Sequence, residues 1–340
     1  MSELSLLKVT EKQSWQLQLQ NAYRSPELLA SALGLNLEDL PYSVASTQQF
    51  PLLVPQAFVD RMRPGDKHDP LLRQVLSTIE EESHQDGFTA DPVGEGSLYA
   101  GEPGLLQKYQ GRALLVTTSQ CAVNCRYCFR RHYPYSDNRN SSRERREMLN
   151  RLLDGPSLKE ILLSGGDPLV LPDQQLAEIT KQIAAHRSDV ILRIHTRLPI
   201  VIPDRVTDGL LNAVDNPGGS VVVVHANHPN EIDGETASAL RRLSNCGFTV
   251  LNQSVFLAGV NDDAQVLAEL SDRLFDAGTL PYYLHMLDPV QGAAHFEVPE
   301  YQARRIAGEL ASLRPGYLVP RLVREVPGAG SKQQLLPEYP

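Results

Sequence analysis

RALLVTTSQCAVNCRYCFRRH, residues 112–132, decides how the rest of the chain is read. Its first seven residues form an apolar run of the length of a buried parallel strand. Cys121, Cys125 and Cys128 follow at once, in the spacing C-x3-C-x2-C. Three thiolates can hold three irons of a cubane cluster and leave the fourth without a protein ligand, open to an exchangeable group. A structural zinc would want four closed ligands from paired CxxC elements, and no second pair exists.

Working outward, five more runs of the same kind follow: EILLSG (160–165), VILRIHT (190–196), SVVVVHA (220–226), FTVLNQS (248–254) and PYYLHML (281–287). Between them lie amphipathic helix candidates such as SSRERREMLNRLLD, PDQQLAEITKQIAAHR, GETASALRRLSN, DDAQVLAELSDRLFDAG and PEYQARRIAGELASL. Six strand-helix units in sequence predict an α/β fold, a (β/α)6 partial TIM barrel, with an open doubly wound sheet as the alternative. In either case chemistry belongs at the C-terminal strand ends. Ahead of the first strand the sequence reads as short helices broken by Pro and Gly. SPELLASALGL is one, with Ser25 as N-cap and Pro26 at the first helical position, and DPLLRQVLSTIEEE (69–82) is another. The expected organisation is an N-terminal helical extension over 1–106, the barrel over 107–325 and a C-terminal tail over 326–340.

Composition narrows the functional classes. Hydrophobic residues at 41% and charged residues at 21% are those of a globular protein. A net charge of −9 speaks against a nucleic-acid binder, which needs surplus Lys and Arg to neutralise phosphates. No stretch approaches the roughly 18 apolar residues of a membrane span. Four cysteines, three of them clustered, suit metal chemistry in a reducing, cytoplasmic setting better than a disulfide framework. Cys246 stands alone and reads as a small packed residue.

The triad, with aromatic Tyr127 before its last cysteine, resembles the radical S-adenosylmethionine (SAM) superfamily, in which SAM binds the open iron of a 4Fe–4S cluster. Ser164, Gly165, Gly166 and Asp167 at the end of the second strand resemble that family's glycine-rich SAM motif, although two glycines also suit a plain strand-to-helix turn. Gln253, with Asn252, is a further SAM candidate. The runs CRYCFRRH, SGGDPL, RIHTRLPIVIP, NHPNE, LNQSVFLAGVND, PYYLHMLD and QGAAHF extend the resemblance to the lysine 2,3-aminomutases, especially their short bacterial members that make β-lysine for elongation factor P.

That resemblance implies a second cofactor, pyridoxal phosphate (PLP), carried on Lys332 in PGAGSK, with Lys108 and Arg112 as phosphate anchors. Ala329 and Ser331 depart from the family's more glycine-rich run. It implies that Arg130 grips the substrate carboxylate and that Asp288 and Glu325 bind the side-chain ammonium of L-lysine. Glu325 stands where the family carries Asp. The implied reaction is a 2,3-amino shift in which a 5′-deoxyadenosyl radical takes hydrogen from C3 while PLP carries the migrating nitrogen. Implied partners are a flavodoxin or ferredoxin reductant, elongation factor P and its lysyl ligase. With no cysteine-bearing C-terminal segment, neither structural zinc nor the longer members' oligomer is expected, though a homo-oligomer of another kind is. His195, His225 and His228 lie at strand ends without an assigned role. Arginine or ornithine would also satisfy an acidic pair, and a catalytically silent module binding elongation factor P would not need both cofactor sets.

Overall fold

The computed structural model describes residues 14–97, 104–107, 110–135 and 141–339. The six predicted runs form β2 (Arg112–Thr118), β3 (Glu160–Gly165), β4 (Ile191–Thr196), β5 (Ser220–Val224), β6 (Thr249–Val255) and β7 (Leu280–His285). Each has alternating or continuous apolar residues that bury one face under helices. The helices begin where side chains take up orphan amides: Ser141 and Glu144 form a capping box, and Asp233 and Asp263 cap the helices Gly234–Asn245 and Ala264–Asp276.

A further parallel strand, β8 (Arg321–Arg324), follows β7, and short antiparallel strands β1 (Leu105–Leu106) and β9 (Gln333–Gln334) edge the sheet. Sheet order is strictly sequential from β1 to β9 and β2–β8 are parallel. A doubly wound sheet reverses its strand order. None is reversed among the described residues, where the sheet curls as an open partial barrel with seven parallel strands, one more than the six expected. The seventh is hard to read because RLVR is four residues long, ends in charge on both sides and lies between Pro320 and Pro327.

The single helix expected over 69–82 is two pieces, Pro70–Arg73 and a 3-10 turn at Ile79–Glu82. Tertiary demands break it: the Gln74 carbonyl is taken by the Arg126 N–H at 2.9 Å, and the Ser77 carbonyl by Ser43 N–H at 3.3 Å. The N-terminal segment shares one core with the barrel, since Trp15, Leu29, Phe58 and Val75 pack in the same cluster as Leu115, Ile161, Leu192, Val222 and Val250. A second cluster joins Leu284, Leu322 and Leu335 to the helix Glu300–Leu313. Cys246 is exposed at the C-cap of Gly234–Asn245, not packed as expected.

Strand alternation leaves Val116, Ser164, His195, Gln253, Tyr283 and His285 on the inner face, opposite the helix-covered side chains.

Candidate active site

Cys121, Cys125 and Cys128 lie in the loop leaving the C-terminal end of β2, free and half-buried. Residues 46–81 shape this loop. Asn124 N–H donates to Leu53 O at 3.0 Å. Arg126, between the second and third cysteines, is fully buried, with Nε on Glu81 Oε1 at 2.8 Å and Nη2 on Ser46 O at 3.2 Å. Arg131 sets Nη2 on Glu81 Oε2 at 2.7 Å. Burial works to raise the Glu81 carboxyl, but the hydrogen bond and charge of Arg126, with Arg131, hold it below the usual range.

Burial pushes the Cys121 thiol well up and Cys128 to about 11, and neighbouring sulfurs add to both shifts. Cys121 and Cys128, whose ionisation burial and neighbouring sulfurs oppose, become thiolates only against added positive charge, which a metal cluster brings. Among the described residues no group of three His, Cys, Asp or Glu is placed to hold a metal ion. That holds for the cysteine triad as it stands, so the fit rests on donor chemistry: three soft sulfurs in one loop without a fourth ligand suit an iron-sulfur cluster better than a closed zinc site.

Arg197, just after β4, donates from Nη1 to Cys125 Sγ at 2.8 Å and from Nη2 to Gln74 Oε1 at 2.6 Å and Glu231 Oε2 at 2.9 Å. Buried Glu231 also accepts the N–H groups of Asn227 at 2.8 Å and His228 at 3.1 Å. Asn227 Nδ2 continues the network to the Tyr127 hydroxyl at 2.7 Å, which meets His225 Nε2 at 2.9 Å. The Tyr127 side chain is thus taken up by protein partners, its ring edge-on to Phe296 at 6.0 Å. His228 Nδ1 accepts the Asn230 N–H at 3.1 Å, closing a turn.

The close approach that the two glycines permit is to the protein's own backbone. A Cβ on Gly165, at φ 119°, would lie 2.6 Å from Thr118 O, and one on Gly166 would strike Gln120. Gly166 N–H donates to Thr118 O and Asp167 N–H to Gln120 O, both at 2.7 Å, so SGGD is tied to the start of the cysteine loop. The Asp167 carboxylate accepts from Leu169 N–H at 3.0 Å, Thr196 Oγ1 at 2.6 Å, Arg197 N–H at 2.7 Å and Leu198 N–H at 3.0 Å. It braces the turn after β4, where a direct SAM contact was expected. Asn252 is spent likewise, exchanging hydrogen bonds with the Ala226 backbone at 2.9 and 3.0 Å, while Gln253 stays half-buried on the inner face.

Arg130 meets a carboxylate, but one from the protein: Nε and Nη2 grip Glu95 at 2.8 and 2.6 Å, and Nη1 donates to Ser164 Oγ at 2.8 Å. Burial opposes the Arg130 charge, yet Glu95 more than restores it and the pKa rises.

Lys332 lies at the base of a hairpin. β8 and β9 pair through Val323–Gln334 and Arg324–Gln333. Continuing that register sets Glu325 opposite Lys332, and Lys332 Nζ is 2.6 Å from Glu325 Oε2. Gly328 at φ 77° closes the turn from Val326 to Ala329, whose N–H donates to Val326 O at 3.1 Å. Beyond it, buried Leu335 donates its N–H to Leu322 O at 2.9 Å, and the chain crosses the helix Glu300–Leu313 at Gly308, where a Cβ would strike the Glu338 carbonyl. Lys332 is therefore anchored on both sides and not in a loose tail. Lys332 Nζ also lies 5.9 Å from the centre of the Tyr283 ring.

Asp288 is half-buried in the loop after β7. Arg112 begins β2, at the strand end away from the cysteines, 3.6 Å from Glu160, which Arg193 also contacts at 2.5 Å. Lys108 lies outside the described residues. Glu81, Glu95, Gln74, Arg197 and Glu231 escape sequence reasoning. The last two stood inside RIHTRLPIVIP and NHPNE, but the first three sit in the N-terminal segment with no local signal at all.

The family profile described as Radical SAM superfamily matches residues 115–270. The L-lysine 2,3-aminomutase of Haemophilus influenzae is 45% identical over 325 residues, spanning 95% of this chain and 96% of its own. That of Escherichia coli is 45% identical over 337 residues, covering 98% of both. The Clostridium subterminale enzyme of the same name is 31% identical over 326 residues, 96% of this chain and 78% of that one.

Proposed function

Since this chain belongs to the L-lysine 2,3-aminomutase family of radical SAM proteins, we propose that it moves the amino group of L-lysine from C2 to C3. The observation that supports this best is the placing of Lys332 and its Glu325 partner on the sheet whose first long strand delivers the cysteine triad. When bound, the 4Fe–4S cluster on Cys121, Cys125 and Cys128 supplies an electron, SAM the hydrogen-abstracting radical, and PLP on Lys332 the carrier for the migrating nitrogen.

The protein's own side chains do the holding. Arg197 sets a buried guanidinium on the Cys125 sulfur and fixes where that sulfur stands. Gly165 and Gly166 keep SGGD against the cysteine loop, bringing Ser164 toward SAM, with Gln253 as a second SAM contact and Asp167 fixing the turn behind them. Arg112, with Lys108, serves the PLP phosphate. Arg130 reads the substrate carboxylate by exchanging it for Glu95, and Asp288 with Glu325 reads the ammonium, for which substrate and Lys332 compete at Glu325. On the resemblance to the short bacterial forms, the product is (R)-β-lysine for elongation factor P, with flavodoxin or ferredoxin as electron donor. No helix among the described residues is long and apolar enough to cross a membrane.

The test is anaerobic reconstitution with iron, sulfide, SAM, PLP and dithionite, followed by chromatography for β-isomers of lysine, ornithine, arginine and norleucine. Lysine should be converted best and norleucine hardly at all, because norleucine leaves the acids without a cation. Cys121→Ala should abolish SAM cleavage whereas Cys246→Ala keeps it. Equal turnover of norleucine, or SAM cleavage without the triad, defeats the reading.

A further inference from the structure

Among the described residues, three buried nitrogens on the inner face have no hydrogen-bond partner: Arg193 Nε, His195 Nε2 and His285 Nε2. Arg193 and His195 sit two apart on β4 and His285 ends β7, so alternation turns all three toward the barrel interior. His285 is only 4% exposed and stands edge-on to Tyr283, 5.5 Å between ring centres, the ring that Lys332 Nζ approaches from 5.9 Å. Both imidazoles are held neutral: burial lowers each well below its usual range, Arg193, Lys332, Arg130 and His225 add to this at His195, and Lys332, His225 and His195 at His285. A buried imidazole edge left without a partner is costly. Two of them on the inner face, one beside the ring that Lys332 approaches, are explained by a polar group that arrives there.

We infer that His195 and His285 are cofactor contacts, two uncharged imidazole edges that hydrogen-bond the PLP carried on Lys332. The inference rests on the reading of Lys332 above and extends it to residues on two other strands. Neutral imidazoles suit the position, because an added positive charge beside Lys332 would be repelled by it, while a neutral ring nitrogen still offers one directional hydrogen bond.

The experiment compares wild type, His195→Leu, His285→Leu, the corresponding Gln variants and Lys332→Ala, each with its cluster reconstituted. PLP affinity is measured by equilibrium dialysis, with bound cofactor quantified after alkaline release, and borohydride labelling maps the attachment site. Cluster signals with and without SAM, together with melting temperature, monitor the rest of the protein. Each Leu variant should bind PLP about ten-fold more weakly, the scale of one lost hydrogen bond, with SAM-dependent cluster signals unchanged and the Gln variants partly restored. Wild-type PLP affinity in both Leu variants, with label still on Lys332, overturns the inference. If a Leu variant fails to fold, wild-type affinity in a variant with Asn or Ala at that position overturns it equally. Label absent from Lys332 in the wild type instead removes the underlying assignment, whatever the histidine variants do.

Discussion

The cysteine loop and the Lys332 hairpin carry the two halves of the proposed chemistry, and they are held in opposite ways. The loop is fixed from outside itself: Glu81, Gln74, Leu53 and Ser46, all far away in sequence, bind Arg126, Arg131, Asn124 and the backbone between the cysteines. The hairpin is fixed by its own register, with Glu325 opposite Lys332 and Leu335 packed in the core that follows. The loop's own backbone bonds are short turns, Cys128 N–H to Cys125 O at 3.0 Å and Arg131 N–H to Cys128 O at 3.1 Å, and the burial of two arginines around one carboxylate ties these turns to the rest of the protein. A hairpin already has its ladder and needs only an anchor.

This contrast is broken or sharpened by three substitutions. Glu81→Gln should have the largest effect, because it leaves Arg126 and Arg131 buried without a counter-ion, at a cost of about 3–5 kcal/mol. Denaturant titration and iron content should fall together. Retention of full iron at unchanged stability would show that the loop holds itself. Gly308→Val should come next. Its side chain strikes the Glu338 carbonyl, and lifting the strap should cost about 1–3 kcal/mol. The variant should lose PLP while keeping iron, as judged by cofactor analysis of one preparation; equal loss of both would mean that the two regions are not separately supported. Glu325→Gln should be mildest for stability, about 0.2–1 kcal/mol, as suits a cross-strand pair with partly accessible side chains. Its midpoint in urea should barely move, and a large drop would mean that the hairpin depends on this pair more than on its register.

Legibility follows the same division. The strands β2–β7 are readable because each is a short apolar run between helices with clear caps, and local pattern agrees with tertiary use. β8 is not, since its pairing and not its composition makes it a strand. The 69–82 segment looks helical and is broken because Arg126 and Ser43 claim its carbonyls. Arg130 was expected to face a substrate and is met by Glu95, a residue to which no motif points.

The sequence by itself determined the kind of chemistry: three thiols in one loop, a strand-helix series that places them at strand ends, and a family resemblance extending to Lys332. Spacing and periodicity are local, and these features are local. Only the tertiary structure decided which distant charges lie together, setting Glu81 between two arginines, Arg197 on Cys125 and Glu231 on Arg197. Buried ions must find partners wherever the fold brings them, and those partners come from up to scores of residues away, where no sequence pattern links them.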